Sequence, residues 1–87
     1  MRILLMEDDL SLGETLHELL QDAGYEVDWA RDGDEAAELS YEHKYDLYIF
    51  DINVPQINGF KLLEGLRDAA DTTPVIFISA LVDLASI

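Results

Sequence analysis

The sequence predicts an α/β fold built on an open, mostly parallel sheet. Three short apolar runs, at residues 3–6, 47–50 and 75–78, contain no charged residue, which is typical of strands buried on both faces of a parallel sheet. Segments with apolar residues at helical spacing separate these runs. Strands that alternate with helices of about 10–15 residues indicate right-handed βαβ units. A chain of 87 residues is long enough for one such domain.

The first strand and the first helix have clear boundary signals. The run at 3–6 ends abruptly in acidic residues. Ser11, with Glu14 three residues later, matches a capping box and predicts the start of the first helix. Gly24 is a suitable residue for the end of that helix.

The next two elements are an edge strand and a second helix. Residues 25–30 alternate between apolar and polar side chains, as expected for a half-buried edge strand. Asp32 and Glu35 form a second capping-box pattern, which predicts a helix that continues to about His43.

The third strand, at 47–50, is followed by a loop, a helix and a fourth strand. Pro55 and the Asn58–Gly59 pair indicate the loop. Pro74 ends the helix, and the run at 75–78 is the fourth strand. The predicted apolar stripe of the third helix consists of Phe60, Leu63, Leu66 and Ala70.

The charge balance excludes several classes of function. Nineteen acidic residues against five basic ones give a formal net charge of −14, so the chain itself is not expected to bind nucleic acid or anionic membranes. It contains no cysteine, which excludes disulfides and thiolate chemistry and is compatible with the cytosol. The apolar run near the N-terminus is too short for a signal peptide or a membrane span.

Carboxylates follow two of the predicted interior strands. Glu7, Asp8 and Asp9 come directly after the first strand, and Asp51 comes after the third. If these strands are neighbours, the carboxylates meet at the crevice where parallel sheets bind ligands. Charges about 5 Å apart repel by roughly 3 kcal/mol per pair at an effective dielectric constant near 20. The cluster therefore predicts a bound cation or a charged reaction.

Four motifs, in the correct order and at the correct intervals, make the chain resemble the receiver domains of bacterial two-component response regulators. The first is the acidic pair Glu7–Asp8, and the second is the turn at residues 30–36. The third is Asp51, followed by Pro55 four residues later and by Gly59 eight residues later. The fourth is the strand that ends in Ser79, within residues 74–80.

The resemblance implies a role for each residue of the site. Asp51 would be the phospho-acceptor, and Ser79 would donate a hydrogen bond to a phosphoryl oxygen. Mg²⁺ would be held by Glu7, Asp8, Asp51 and the backbone carbonyl of Asn53. The implied donor is a partner histidine kinase, and the implied result is control of an output domain, expected to bind DNA and regulate transcription. Such a cytoplasmic domain takes part in its own phosphotransfer without being a classical enzyme.

The sequence departs from the family at its C-terminal end. Receiver domains have a fifth β/α unit, in the strand order 2-1-3-4-5, whose lysine and switch aromatic have no counterpart in these residues. We therefore expect residues 1–87 to be a receiver domain truncated after the fourth strand, with order 2-1-3-4, and to be phosphorylated poorly. An uncovered fourth strand is also expected to pair with a second copy and form a homodimer.

Three other functions remain open at this stage. A phosphatase of the haloacid dehalogenase type needs a second aspartate two residues after the nucleophile, where this chain has Asn53. A flavin or nucleotide module lacks the glycine-rich loop that would follow the first strand. A pseudo-receiver that is never phosphorylated would act as an interaction or dimerisation module. Asp9 is expected to be structural, as a polar residue near the helix start.

Overall fold

A computed structural model describes residues 1–52 and 58–78. Strands and helices alternate along these residues, as the apolar runs and the helical spacing predict. The elements are β1 (Arg2–Met6), α1 (Leu10–Asp22), β2 (Glu26–Ala30), α2 (Gly33–Glu42), β3 (Leu47–Asp51), α3 (Gly59–Asp68) and β4 (Val75–Ile78).

The strands form one parallel sheet in the order β2-β1-β3-β4, which confirms the predicted fold class and strand order. The central strand, β1, pairs with both β2 and β3, so that Met6 lies beside Ala30 on one side and Phe50 on the other. Because these strand ends are level, Glu7 and Asp51 follow at the same edge of the sheet.

The two faces of the sheet are covered by different helices. Leu16 and Leu20 of α1 pack against Ile3 and Leu5 on one face. The other face carries the larger core, to which α2 and α3 contribute: Leu4, Met6, Ala30, Ala36, Tyr45, Tyr48, Phe50 and Leu62. Burial on both faces explains why the runs at 3–6 of β1 and 47–50 of β3 lack charged residues.

Short polar side chains begin the three helices of the described residues. Asp9, Asp32 and Asn58 are the N-caps, and each accepts a hydrogen bond from the backbone N–H three residues later. The prediction that α1 begins at Ser11 was wrong by two residues, because Asp9 provides the cap. The prediction that Asp9 is structural is thereby confirmed, as is the assignment of Asp32 to a helix start.

The apolar stripe predicted for α3 was shifted. Leu62 is the buried residue of this helix at 4% exposure, whereas Phe60 is 54% exposed. Ala70 lies beyond the helix and has a positive φ of 64°. Leu66 packs against the core, as predicted, so the predicted stripe is confirmed in part.

Tyr48 is the most buried tyrosine, with 1% exposure. Its hydroxyl donates a hydrogen bond to Asp71, whose other carboxylate oxygen accepts from the backbone N–H and the hydroxyl of Thr73. Burial and the hydrogen bond to Asp71 raise the pKa of Tyr48 to about 12, so this hydroxyl stays protonated at neutral pH. The network ties β3 to the segment that enters β4.

A polar clamp joins β1, β2 and the segment that enters β3, at the opposite end of the sheet from Glu7 and Asp51. Arg2 of β1 donates two hydrogen bonds to Asp28 of β2, at 2.9 and 3.2 Å, and the hydroxyl of Tyr45 donates a third at 2.7 Å. Burial alone would raise the pKa of Asp28, but the hydrogen bonds from Tyr45 and Arg2 outweigh it and hold the pKa below its ordinary value of 3.8. Asp28 therefore stabilises the fold in its ionised form.

Replacing Asp28 by Asn tests the clamp. Because the folded-state pKa is lowered, the charge of Asp28 contributes stability above the ordinary pKa, and that contribution disappears as the pH falls through the lowered value. We expect Asp28→Asn to reduce the free energy of unfolding by about 0.5–1 kcal/mol near neutral pH, as befits a half-exposed ion pair. Urea unfolding over a pH series should show the two proteins converging in acid. A difference independent of pH would contradict this account.

Among the described residues, no helix is long and apolar enough to cross a membrane.

Candidate functional site

Three carboxylates meet at the edge of the sheet where β1 and β3 end. Glu7 and Asp8 follow β1, and Asp51 is the last residue of β3. Each offers one carboxylate oxygen, and these three oxygens all lie within 4.8 Å of one another. The structure thus brings together the three side chains that the sequence predicted as metal ligands.

Glu7 is the most unusual member of the cluster because its side chain has no exposed surface. Its Oε2 accepts a hydrogen bond from the backbone N–H of Asp9 at 3.0 Å. Its Oε1 is buried and, within the part of the chain that the structure describes, has no hydrogen-bond partner. Leaving a buried acceptor unsatisfied costs about 1–3 kcal/mol.

The surroundings of Glu7 disfavour its ionised form. Burial raises the pKa of this carboxyl, the hydrogen bond from Asp9 opposes that effect, and the adjacent carboxyl of Asp51 adds to it. The result is a pKa of about 7, compared with an ordinary value of 4.5. Without a cation, a negative charge on Glu7 is therefore poorly stabilised.

The other two carboxylates differ in their access to solvent. Asp51 is 2% exposed, whereas Asp8 is exposed and lines an open cleft of about 730 Å³. The rest of this cleft is lined by Arg31, Asp32, Glu35, Glu38 and Leu39. A ligand from solvent can thus approach the cluster from the side of Asp8 and α2.

The donor set fits a magnesium ion. Mg²⁺ prefers oxygen ligands and is usually held by one or two carboxylates while it keeps several waters. The cluster offers three carboxylate oxygens, Glu7 has the unsatisfied acceptor Oε1, and Asp8 is exposed to solvent. A cation here would satisfy the buried acceptor and relieve the repulsion among the carboxylates.

The chain matches the family model described as the response regulator receiver domain over residues 3–87. It belongs to that family. The resemblance identified from four short motifs is confirmed.

Among relatives of this receiver domain are two bacterial regulators. It is 42% identical over 80 residues to the transcriptional regulatory protein DltR of Streptococcus agalactiae, covering 92% of this chain and 36% of that protein. It is 45% identical over 82 residues to the regulatory protein VanRB of Enterococcus faecalis, covering 94% of this chain and 37% of that protein. The chain thus spans little more than a third of the length of these relatives.

Solved structures of receiver domains share the fold. The Francisella response regulator 1452 receiver domain has a TM-score of 0.88 at 30% identity, covering 98% of this chain and 70% of that chain. The response regulator protein TrrA of Thermotoga maritima, in complex with Mg²⁺ and BeF, has a TM-score of 0.86 at 35% identity, covering 98% of this chain and 74% of that chain.

The remaining predicted site residues lie outside the described residues. Asn53, expected to offer a backbone carbonyl, and Ser79, expected to donate to a phosphoryl oxygen, fall in the segments 53–57 and 79–87. Their roles remain predictions from the family resemblance.

Sequence reasoning missed two residues that shape the site of this receiver domain. The indole N–H of Trp29 donates a hydrogen bond to the backbone carbonyl of Glu7 at 2.9 Å. The ring lies against α1 at Gly13, where an added Cβ would stand 2.1 Å from the ring atom Cζ2. A glycine inside an amphipathic helix, together with a single tryptophan on the neighbouring strand, was the signal available in the sequence.

Replacing Glu7 by Gln tests whether the negative charge of this buried side chain destabilises the fold when no cation is bound. At about pH 8 in EDTA, above the raised pKa, we expect the variant to be more stable by about 1–3 kcal/mol, because the buried charge is gone. In saturating Mg²⁺ the difference should shrink or reverse, since only the wild type gains from binding at Oε1. Urea unfolding with and without Mg²⁺ measures both quantities.

The matched control is Glu14→Gln, which neutralises an exposed glutamate on α1 and should leave the response to Mg²⁺ unchanged. A Glu7→Gln protein that is less stable than the wild type in EDTA would show that the buried carboxylate has a stabilising partner.

Proposed function

We propose that this receiver domain accepts a phosphoryl group on Asp51 from a partner histidine kinase, with Mg²⁺ at the carboxylate cluster, and so controls a transcriptional output domain. The observation that carries the proposal is the convergence of Glu7, Asp8 and Asp51 within 4.8 Å, with the Oε1 of Glu7 buried and unsatisfied. A purely structural cluster would gain nothing from burying like charges together.

The chemistry assigned to Asp51 is nucleophilic. One of its carboxylate oxygens attacks the phosphorus of the phosphorylated histidine, the P–N bond breaks, and the imidazole leaves with the electron pair. The product is an aspartyl phosphate. The rigid end of β3 positions the nucleophile, and positioning with charge stabilisation supplies most of the catalysis in phosphoryl transfer.

Glu7 and Asp8 act through the cation they hold. Bound Mg²⁺ would neutralise charge on the transferring phosphoryl group. Because the backbone of Glu7 is fixed by β1 and its Oε2 is held by Asp9, Glu7 presents Oε1 in one orientation. Exposed Asp8 completes the set on the solvent side. Asn53 and Ser79 have the roles that the family resemblance predicts: the backbone carbonyl of Asn53 is a ligand of the cation, and the hydroxyl of Ser79 donates a hydrogen bond to a phosphoryl oxygen.

The proposal that the signal controls transcription is based on the names of the relatives. DltR is named a transcriptional regulatory protein, and this chain corresponds to about a third of it. The net charge of −14 makes DNA contact by these residues unfavourable, so DNA binding belongs to a separate output domain. The same proposal includes a cytoplasmic location, where DNA is accessible, and a domain that takes part in its own phosphotransfer without being a classical enzyme.

Beryllofluoride with Mg²⁺ tests the proposal directly, because it mimics a phosphoryl group on the acceptor carboxylate. We expect Mg²⁺ alone at ten times its Kd to stabilise the fold by about 1.4 kcal/mol. Adding beryllofluoride should raise the unfolding midpoint further. Asp51→Asn should abolish the second increment, whereas Asp34→Asn, on the first turn of α2, should leave it unchanged.

Mass spectrometry after acetyl phosphate treatment completes this test by locating a single phosphoryl group on Asp51. Binding of Mg²⁺ without beryllofluoride binding or modification would favour the pseudo-receiver instead. An equal response in Asp51→Asn would show that the ligands act elsewhere.

Self-association through β4 is a second proposal. Within the described sheet β4 has a partner on one side only, and its Ile76 is 51% exposed. An edge of this kind, without charge or proline, favours pairing with another copy. We expect Ile76→Lys to reduce the average mass measured by light scattering at tens of micromolar, roughly the range in which weak pairs form. A wild type that remains monomeric there would contradict the proposal.

A further inference from the structure

Trp29 contacts the site from outside the carboxylate cluster. It lies on β2 beside Leu5 of β1, and its ring packs on the face of the sheet that α1 covers. Its indole N–H reaches past the end of the strand pairing and donates to the backbone carbonyl of Glu7 at 2.9 Å. A buried tryptophan needs an acceptor for its N–H. Here the acceptor is the backbone of Glu7, which is itself a member of the carboxylate cluster.

The hydrogen bonds of Glu7 show what this contact does. The backbone N–H of Glu7 donates to the carbonyl of Ala30 at 3.0 Å, and its carbonyl accepts from Trp29. Its Oε2 accepts from the N–H of Asp9. Among the polar atoms of Glu7, only Oε1 is left without a partner in the described residues, and it belongs to the carboxylate that faces the cluster.

Gly13 holds the indole in this position. An ideal Cβ at residue 13 would lie 2.1 Å from Cζ2 and 2.4 Å from Cε2 of Trp29, well inside van der Waals contact. The first turn of α1 starts close to the end of β1, because its cap, Asp9, comes only two residues after Glu7. The ring is thus held between the helix on one side and the strand end on the other.

We propose that Trp29, seated on Gly13, is a positioning residue for the metal site: its indole N–H fixes the backbone of Glu7 so that Oε1 is directed at the cation. The inference rests on the proposed Mg²⁺ site and extends it to a residue that touches neither metal nor phosphoryl group. Partners that orient a metal ligand commonly change metal affinity by about 10–100-fold when removed.

The experiment is a calorimetric Mg²⁺ titration of the wild type and of Trp29→Phe, which keeps an aromatic ring and removes the N–H. We expect the Kd for Mg²⁺ to rise about tenfold in Trp29→Phe, at the lower end of the range because the contact is to the backbone. The matched control is Val27→Ala, which removes apolar volume from the same face of β2 but pairs with Ile3, four residues before Glu7. That variant should lose stability in urea and keep its Kd.

A second measurement uses the unaltered protein and does not depend on any variant folding. Trp29 is the only tryptophan in the chain, so its indole N–H gives a single resonance. We expect this resonance to shift on addition of Mg²⁺, with the same Kd as the calorimetric titration, and to exchange slowly with solvent.

The outcomes separate the inference from the proposed function. Mg²⁺ binding by the wild type with an equal Kd in Trp29→Phe, or an indole resonance that does not respond, overturns the positioning role and leaves the metal site intact. Absence of Mg²⁺ binding by the wild type overturns the proposed function and the inference together. If Trp29→Phe does not fold, the indole resonance decides alone.

Discussion

The structure depends on one constraint, which is a carboxylate buried at the end of the central strand. Glu7 follows β1 directly and has no exposed side-chain surface, and this burial raises the pKa of its carboxyl to about 7. Burying a charge without full compensation is unfavourable. Within the described residues, the backbone of Glu7 and its Oε2 have hydrogen-bond partners. Its Oε1 has none there and is the acceptor proposed to bind a cation. The free energy of unfolding is thereby lowered by the same carboxylate that is proposed to bind Mg²⁺.

The rest of the sheet holds that position in place. At the opposite end, hydrogen bonds of Arg2, Asp28 and Tyr45 link β1 and β2 to the segment that enters β3. The apolar cores on both faces fix the strands between the two ends. Because a parallel sheet has regular register, clamping one end determines which residues meet at the other. The alignment of Met6 with Phe50 places the cluster residues side by side at one end of the sheet.

Much of this arrangement could be predicted from the sequence, because it depends on periodicity and strand ends. The uncharged runs predict three of the strands, and the acidic residues at the ends of β1 and β3 predict the cluster. The start of α1 was misplaced because Ser11 and Asp9 are both good caps, and only the geometry shows that Asp9 accepts from Leu12. Leu63 was predicted to face the core in place of Leu62, because the two leucines are adjacent and the sequence alone does not show which of them is buried. The contact between Trp29 and Glu7 could not be predicted, because the two residues are distant in the sequence. It also depends on the absence of a side chain at Gly13, which leaves room for the indole ring.

The main rival to a single metal site is diffuse attraction of cations to a chain with 19 acidic residues. Substoichiometric Mn²⁺ distinguishes the two, because a paramagnetic ion in place of Mg²⁺ broadens only nearby nuclear magnetic resonances. If the carboxylate cluster selects the cation, the backbone amide signals of Glu7, Asp8 and Asp51 disappear first, while those of exposed acidic residues on α1 and α2 remain sharp. Broadening that is spread evenly over the acidic helices, or that begins away from the cluster, would contradict the account.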